Sequence, residues 1–152
     1  NMSQGIQSAL SYLQDQIEAI DPKSDPHHGF VCYDAGAGSV PPLEQRPNSN
    51  RFFDMLIRDY PTDDGAAGLS GRRRSVIDCR VRYDIPDDFN YLQRVISEDA
   101  EKILTTLKGP LYSLETTGIV SVIPEQPTVE PLNLEETAHL LTVPFTLLFL
   151  ES

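Results

Sequence analysis

The sequence predicts an α/β protein of the α+β kind, with a mainly antiparallel mixed sheet covered by two helices. Three observations predict it. First, Ile77, Cys79, Val81 and Tyr83 alternate with Val76, Asp78, Arg80 and Arg82, the period of a strand with one buried face. Second, Leu92, Val95, Ile96, Ala100, Ile103, Leu104 and Leu107 recur at helical spacing just downstream. They form one apolar stripe, broken by Asp99. Third, Arg51–Tyr60 and His139–Leu150 alternate as further strands. A half-buried strand followed by an amphipathic helix is the minimum unit of a two-layer core.

Ile6, Ala9, Leu10, Leu13, Ile17 and Ile20 share one helical face, so Ser3–Ile20 is the first helix, with Ser3 as its cap. Pro22 and Pro26 force an extended exit. Phe30–Tyr33 reads as a short strand. Residues 34–50, rich in Gly, Pro, Ser and Asn, read as a loop.

In Arg51–Tyr60, Phe53, Met55 and Ile57 face one side and Phe52, Asp54, Leu56 and Arg58 the other. This strand and the next, Arg74–Tyr83, suggest an antiparallel hairpin with a projecting loop over residues 61–73. The loop segment PTDDGAAGLSG has three glycines and a single large apolar side chain, Leu69. Alone it buries too little surface to offset the entropy of ordering its backbone.

Pro86 stops the central strand, and Asp87 and Asp88 suit the amino end of a helix over Asp88–Leu107. Gly109-Pro110 ends that helix. Gly118–Ile123 reads as a short strand buried on both faces, and PEQPTVEPLNLEET as a connection. In the final strand, Leu141, Val143, Phe145, Leu147 and Phe149 form the core face. Pro144 removes one ladder donor, which predicts an edge strand or a bulge there.

A chain of 152 residues reads as a single domain over 1–152, large enough for a real core. Its formal net charge of −11 argues against a general nucleic-acid binder, which needs clustered cations. No apolar run approaches the roughly 20 residues of a membrane span. The opening NMSQGIQSAL lacks a basic stretch before an apolar core, so no signal peptide is expected. Cys32 and Cys79 read as free thiols.

His27, His28 and Cys32, with Cys79 and His139, do not make the spacing of a metal site, and none is expected. Gly65, Gly68 and Gly71 lead into a strand where a phosphate loop leads into a helix. Asp63-Asp64 reads as turn chemistry. No nucleophile elbow supports a catalytic triad, so neither catalysis nor a cofactor is expected. Arg72-Arg73-Arg74 is the largest cluster of positive charge in an acidic chain. Arginine's planar fork suits a carboxylate surface on a partner or on another copy of the chain, against the plain alternative of a solvated strand end.

The order of elements resembles the tail terminator, or tail completion, proteins of tailed bacteriophages. The likeness runs from about Ile6 to Glu151 and is carried by VIDCRVRYDIPDDFNYLQRVISEDAEKIL and HLLTVPFTLLFLE. It implies a small non-enzymatic virion protein, assembled in the host cytoplasm as a hexameric ring. Such a ring caps the tail tube, stops its growth and joins it to the neck or head-completion protein. DNA passes through without specific binding, and no membrane is involved. On this resemblance Tyr60, Asp63, Asp64, Leu69, Arg72, Arg73 and Arg74 are the expected subunit or partner interface. The segment between Tyr33 and Arg51 departs from the family pattern. The alternatives are another neck or head-completion protein, a tail-tube subunit, a cellular interaction module, or a small enzyme with a pocket under the Gly-rich loop.

Overall fold

The computed structural model describes residues 6–23, 29–33, 51–63, 72–84, 89–109, 118–131 and 138–150. They form an α+β fold: one curled mixed sheet with two helices on it. In chain order the elements are α1 (Ile6–Glu18), β1 (Val31–Cys32), β2 (Phe52–Asp63), β3 (Arg72–Asp84), α2 (Phe89–Lys108), β4 (Ile119–Pro124), β5 (Thr128–Pro131) and β6 (Ala138–Leu150).

The sheet order is β1-β2-β3-β6-β4, and β5 also pairs with β6. Only β1–β2 is parallel. The spine is β3 against β6, paired without a register break from Arg72↔Leu150 to Asp84↔Ala138. One face of that spine is mainly apolar, with Ser75 and His139 as buried polar residues on it. Ile77, Cys79, Val81 and Tyr83 meet Leu141, Val143, Phe145, Leu147 and Phe149, all buried. α1 adds Leu10, Leu13 and Ile17, and α2 adds Leu92, Val95, Ile96, Ile103 and Leu107. The stripes and alternations of the sequence therefore meet in one core, as the hydrophobic effect requires of facing layers.

Three expectations need correction. The final strand is central, not an edge, and its pairing with β3 has no bulge. Pro144 is tolerated because of what lies on its other side. The Pro144 carbonyl accepts from the Glu125 N–H at 2.8 Å, and a residue's N–H and C=O point to the same side of an antiparallel strand. Its missing donor thus faces the break between β4, which pairs through Phe145, and β5, which pairs from Thr142. Gly118–Ile123 is not buried on both faces, since Ile123 is half exposed. The expected connection after it contains β5, whose four residues are all exposed.

The hairpin is longer than predicted. β2 extends through Pro61 to Asp63 and β3 begins at Arg72, so most of the expected loop ends belong to the ladder. The expectations for Ser3, Asp87, Asp88 and residues 34–50 and 64–71 lie outside the described residues. No described helix is long and apolar enough to cross a membrane.

Candidate functional site

The far end of the β2–β3 hairpin is built on an irregular ladder. Pairing is regular from Phe52↔Arg82 to Ile57↔Ile77, then shifts before Asp59↔Val76 and again before Thr62↔Arg74. Pro61 has no amide to donate, and an irregularity is where a strand accommodates that loss. The Ser75 hydroxyl donates to the Asp59 carbonyl at 2.6 Å and holds the distorted strand in place. Tyr60 is pushed out of the ladder and is 75% exposed.

Arg58, Asp59, Tyr60, Arg74, Ser75 and Val76 line a depression of about 430 Å³ on this end. Arg58 stays half exposed, with its guanidinium 3.6 Å from the Asp78 carboxylate. Arg74 is exposed. The structure thus brings together two of the expected interface residues, Tyr60 and Arg74, and adds Arg58, which sequence reasoning had placed only as a strand residue. Arg73 is half-buried and pairs in register with Asp63. Asp63 and Arg72 are placed by their backbones at the ends of β2 and β3. Asp64 and Leu69 lie outside the described residues. Two guanidinium groups beside an exposed phenol are equipped to grip carboxylates and to cover apolar surface.

The rest of this sheet face is charge-paired. Arg80 grips Asp54 with two bonds of 2.9 and 2.6 Å, directly across the β2–β3 ladder. Arg82 donates to Asp84 at 3.2 Å. These pairs compensate the arginines at the near end of the hairpin.

A second cleft, of about 440 Å³, lies between α2 and β5. Leu92, Gln93, Ile96, Ser97, Val129, Pro131 and His139 line it. Sequence reasoning missed it because β5 was unrecognised. Among the described residues no group of three or more His, Cys, Asp or Glu side chains is placed to hold a metal ion. His27 and His28 lie outside those residues. Cys32 and Cys79 form no disulfide. Burial pushes the Cys79 thiol far above its ordinary value, with a further push from the Asp54 charge. A thiol held protonated is a poor nucleophile and a poor ligand.

The most charged buried feature lies beneath the sheet. Arg51, 1% exposed, donates to both oxygens of Asp99, Nε at 2.7 Å and Nη2 at 3.2 Å. The Tyr83 hydroxyl donates to the same carboxylate at 2.6 Å. Asp99, the break in the α2 stripe, is fully buried. The cluster joins the start of β2 to α2 and β3. With its members 0–2% exposed, it is a structural tie and not a reaction site.

Comparison of the sequence with models of known protein families and with curated proteins finds no match.

Proposed function

We propose that this chain is a structural subunit of a phage tail, a tail terminator that forms a ring on the tail tube, stops its growth and joins it to the neck. The observation that carries the proposal is the far end of the β2–β3 hairpin. There Tyr60, Arg58 and Arg74 surround an open depression on a well-packed two-layer body. A rigid scaffold that offers an aromatic and two arginines at the end of a long hairpin suits work by contact. The acidic balance of the chain suits a ring through which DNA moves without adhering, since like charges repel. In this role the protein has no catalytic centre and needs no cofactor. Its partners are copies of itself, the tail tube protein and a neck or head-completion protein, and its place is the virion.

Two measurements test the proposal. Light scattering is expected to give a hexamer mass, and negative-stain images are expected to show the ring at one end of tail tubes. Replacing Asp63–Ser70 with a Gly-Asn turn is expected to abolish capping while the melting temperature is retained. A shortened protein that still caps tubes would remove the hairpin loop, but not Arg58, Tyr60 and Arg74, from the mechanism. Protein that never associates with itself or with tubes would remove the role altogether.

A second reading, a small enzyme or ligand-binding module, draws on the cleft between α2 and β5. Stabilisation by a metabolite in a thermal-shift screen, lost in Ser97→Trp, would favour it.

A further inference from the structure

Charge is divided along this chain in a way that the sheet order makes spatial. Lys108 is the last lysine or arginine, whereas acidic residues continue to Glu151. β2 and β3 therefore hold every arginine of the sheet, and β6 has no Asp, Glu, Lys or Arg. The β4–β5 stretch carries only Glu125 and Glu130, both exposed. In the sheet these groups are separated by the width of β6.

Exposed apolar side chains follow the same division. Among the described residues the large ones are Val31, Leu56 and Tyr60 on β1 and β2, and Ile123 and Val129 on β4 and β5. The central strands β3 and β6 have none. Both flanks pair exposed apolar side chains with charge: Arg58 and Arg74 among aspartates at the hairpin end, and Glu125 and Glu130 alone at the other. Asp59 also lines the hairpin depression and Asp78 lies 3.6 Å from the Arg58 guanidinium, so an approaching glutamate meets two arginines and two carboxylates there.

Neither flank is suited to simple strand addition. At β1 the outward N–H of Cys32 is taken by the Glu18 carboxylate at 3.1 Å. At β4–β5, Pro124, Pro127 and Pro131 withhold ladder donors, a common device for blunting an edge. Contact between flanks must therefore run through side chains.

We propose that the β4–β5 flank of one copy docks on the far end of the β2–β3 hairpin of a second copy. Glu125 and Glu130 meet Arg58 and Arg74, while Ile123, on the same face as Val76, covers Leu56 and Tyr60. The occupant is another copy because the chain itself carries both complementary surfaces. The two are distinct surfaces of one chain, with β3 and β6 between Arg58 and the β4–β5 flank, so the contact is head-to-tail, and each copy keeps one free surface for the next. This inference rests on the self-assembly proposed above and names the two surfaces that would carry it.

A charge-swap mixing experiment tests it. One variant carries Arg58→Glu with Arg74→Glu, and the other Glu125→Arg with Glu130→Arg. Alone, each sets like charges together at the contact, and self-association by sedimentation velocity is expected to weaken at least about tenfold. Mixed in equal amounts, the two restore opposite charges at every junction, and assemblies alternating between them are expected. Variants that assemble as tightly as wild type, or a mixture as weak as its parts, would overturn the assignment of the flanks. A wild-type protein that stays monomeric at every concentration would instead overturn the self-assembly on which it rests.

A second measurement does not depend on the swapped variants folding. In a Cys32→Ser background, Tyr60→Cys and Ile123→Cys chains are mixed and oxidised. Disulfide dimers are expected in the mixture and not in either chain alone. Dimers formed equally by one chain alone would overturn the head-to-tail contact.

Discussion

Arg51 keeps a left-handed backbone, φ 59°, with a full side chain on it. A non-glycine residue in that region costs on the order of 1–3 kcal/mol and persists only where its surroundings over-determine it. Here they do. Its N–H donates to the Arg82 carbonyl at 2.8 Å, its carbonyl accepts from Val31 at 3.2 Å, and its guanidinium is held by Asp99 beside the Phe30 ring. Replacing Asp99 with Ala leaves that guanidinium buried without its carboxylate, and is expected to cost about 3–5 kcal/mol in urea denaturation. Arg51→Met with Asp99→Leu removes both charges and is expected to recover much of the loss. Tyr83 gives this cluster a pH dependence. Burial first, then the Asp99 charge, raises its pKa well above the ordinary value. The folded protein therefore holds this proton more tightly than the unfolded chain does. That contribution is complete below about pH 10, the unfolded value, and is lost as pH rises through the folded one. Stability is expected to decline with pH above about 10, and Tyr83→Phe to make the decline shallower. In the sequence only half of this cluster was legible. Asp99 stood out as a polar break in an apolar stripe, but its partner lies 48 residues away, and periodicity carries no information about distant pairs.

The strands and helices with one apolar face were legible because period and burial coincide. Every core-face residue assigned to β3 and β6 is buried, and so is the α2 stripe apart from Ala100 and Leu104, which are partly buried. Ile103 lies fully buried on that stripe, so Ile103→Ala is expected to cost roughly 2–5 kcal/mol by chemical denaturation. A loss below about 0.5 kcal/mol, typical of exposed sites, would contradict the docking of α2 on the sheet. Elements defined by their neighbours were not legible. β5 has four exposed residues and no apolar alternation to announce it. It is a strand because β6 offers a free edge from His139 to Thr142. Pro144 misled for the same reason. Its missing donor matters only if a strand faces it, and the gap between β4 and β5 does so instead. The hairpin end was half legible: its arginines and Tyr60 could be named, but not the two register shifts that set Tyr60 outside the ladder.

For the whole molecule, the head-to-tail contact must form between copies that each carry a net charge of −11. Two electrostatic effects of opposite sign then act over different ranges. The repulsion belongs to the whole charge distribution and acts across the width of a subunit. The attraction belongs to Arg58 and Arg74 meeting Glu125 and Glu130, and acts at contact. Salt screens the long-range effect first. The Debye length falls from about 30 Å at 0.01 M to about 8 Å at 0.15 M and about 3 Å at 1 M. Raising salt over the first interval removes repulsion between whole subunits while leaving contact pairs largely intact, so self-association is expected to strengthen. Over the second interval the contact pairs are screened as well, and association is expected to weaken again unless apolar cover from Tyr60, Leu56 and Ile123 dominates. The two contributions separate in one series of sedimentation runs. A maximum near physiological salt assigns the contact to the charged pairs, whereas a steady rise to 1 M assigns it to the apolar side chains. A steady fall from 0.01 M upward would mean that net repulsion plays no part. The arginine-rich hairpin would then have to meet a surface more acidic than the β4–β5 flank.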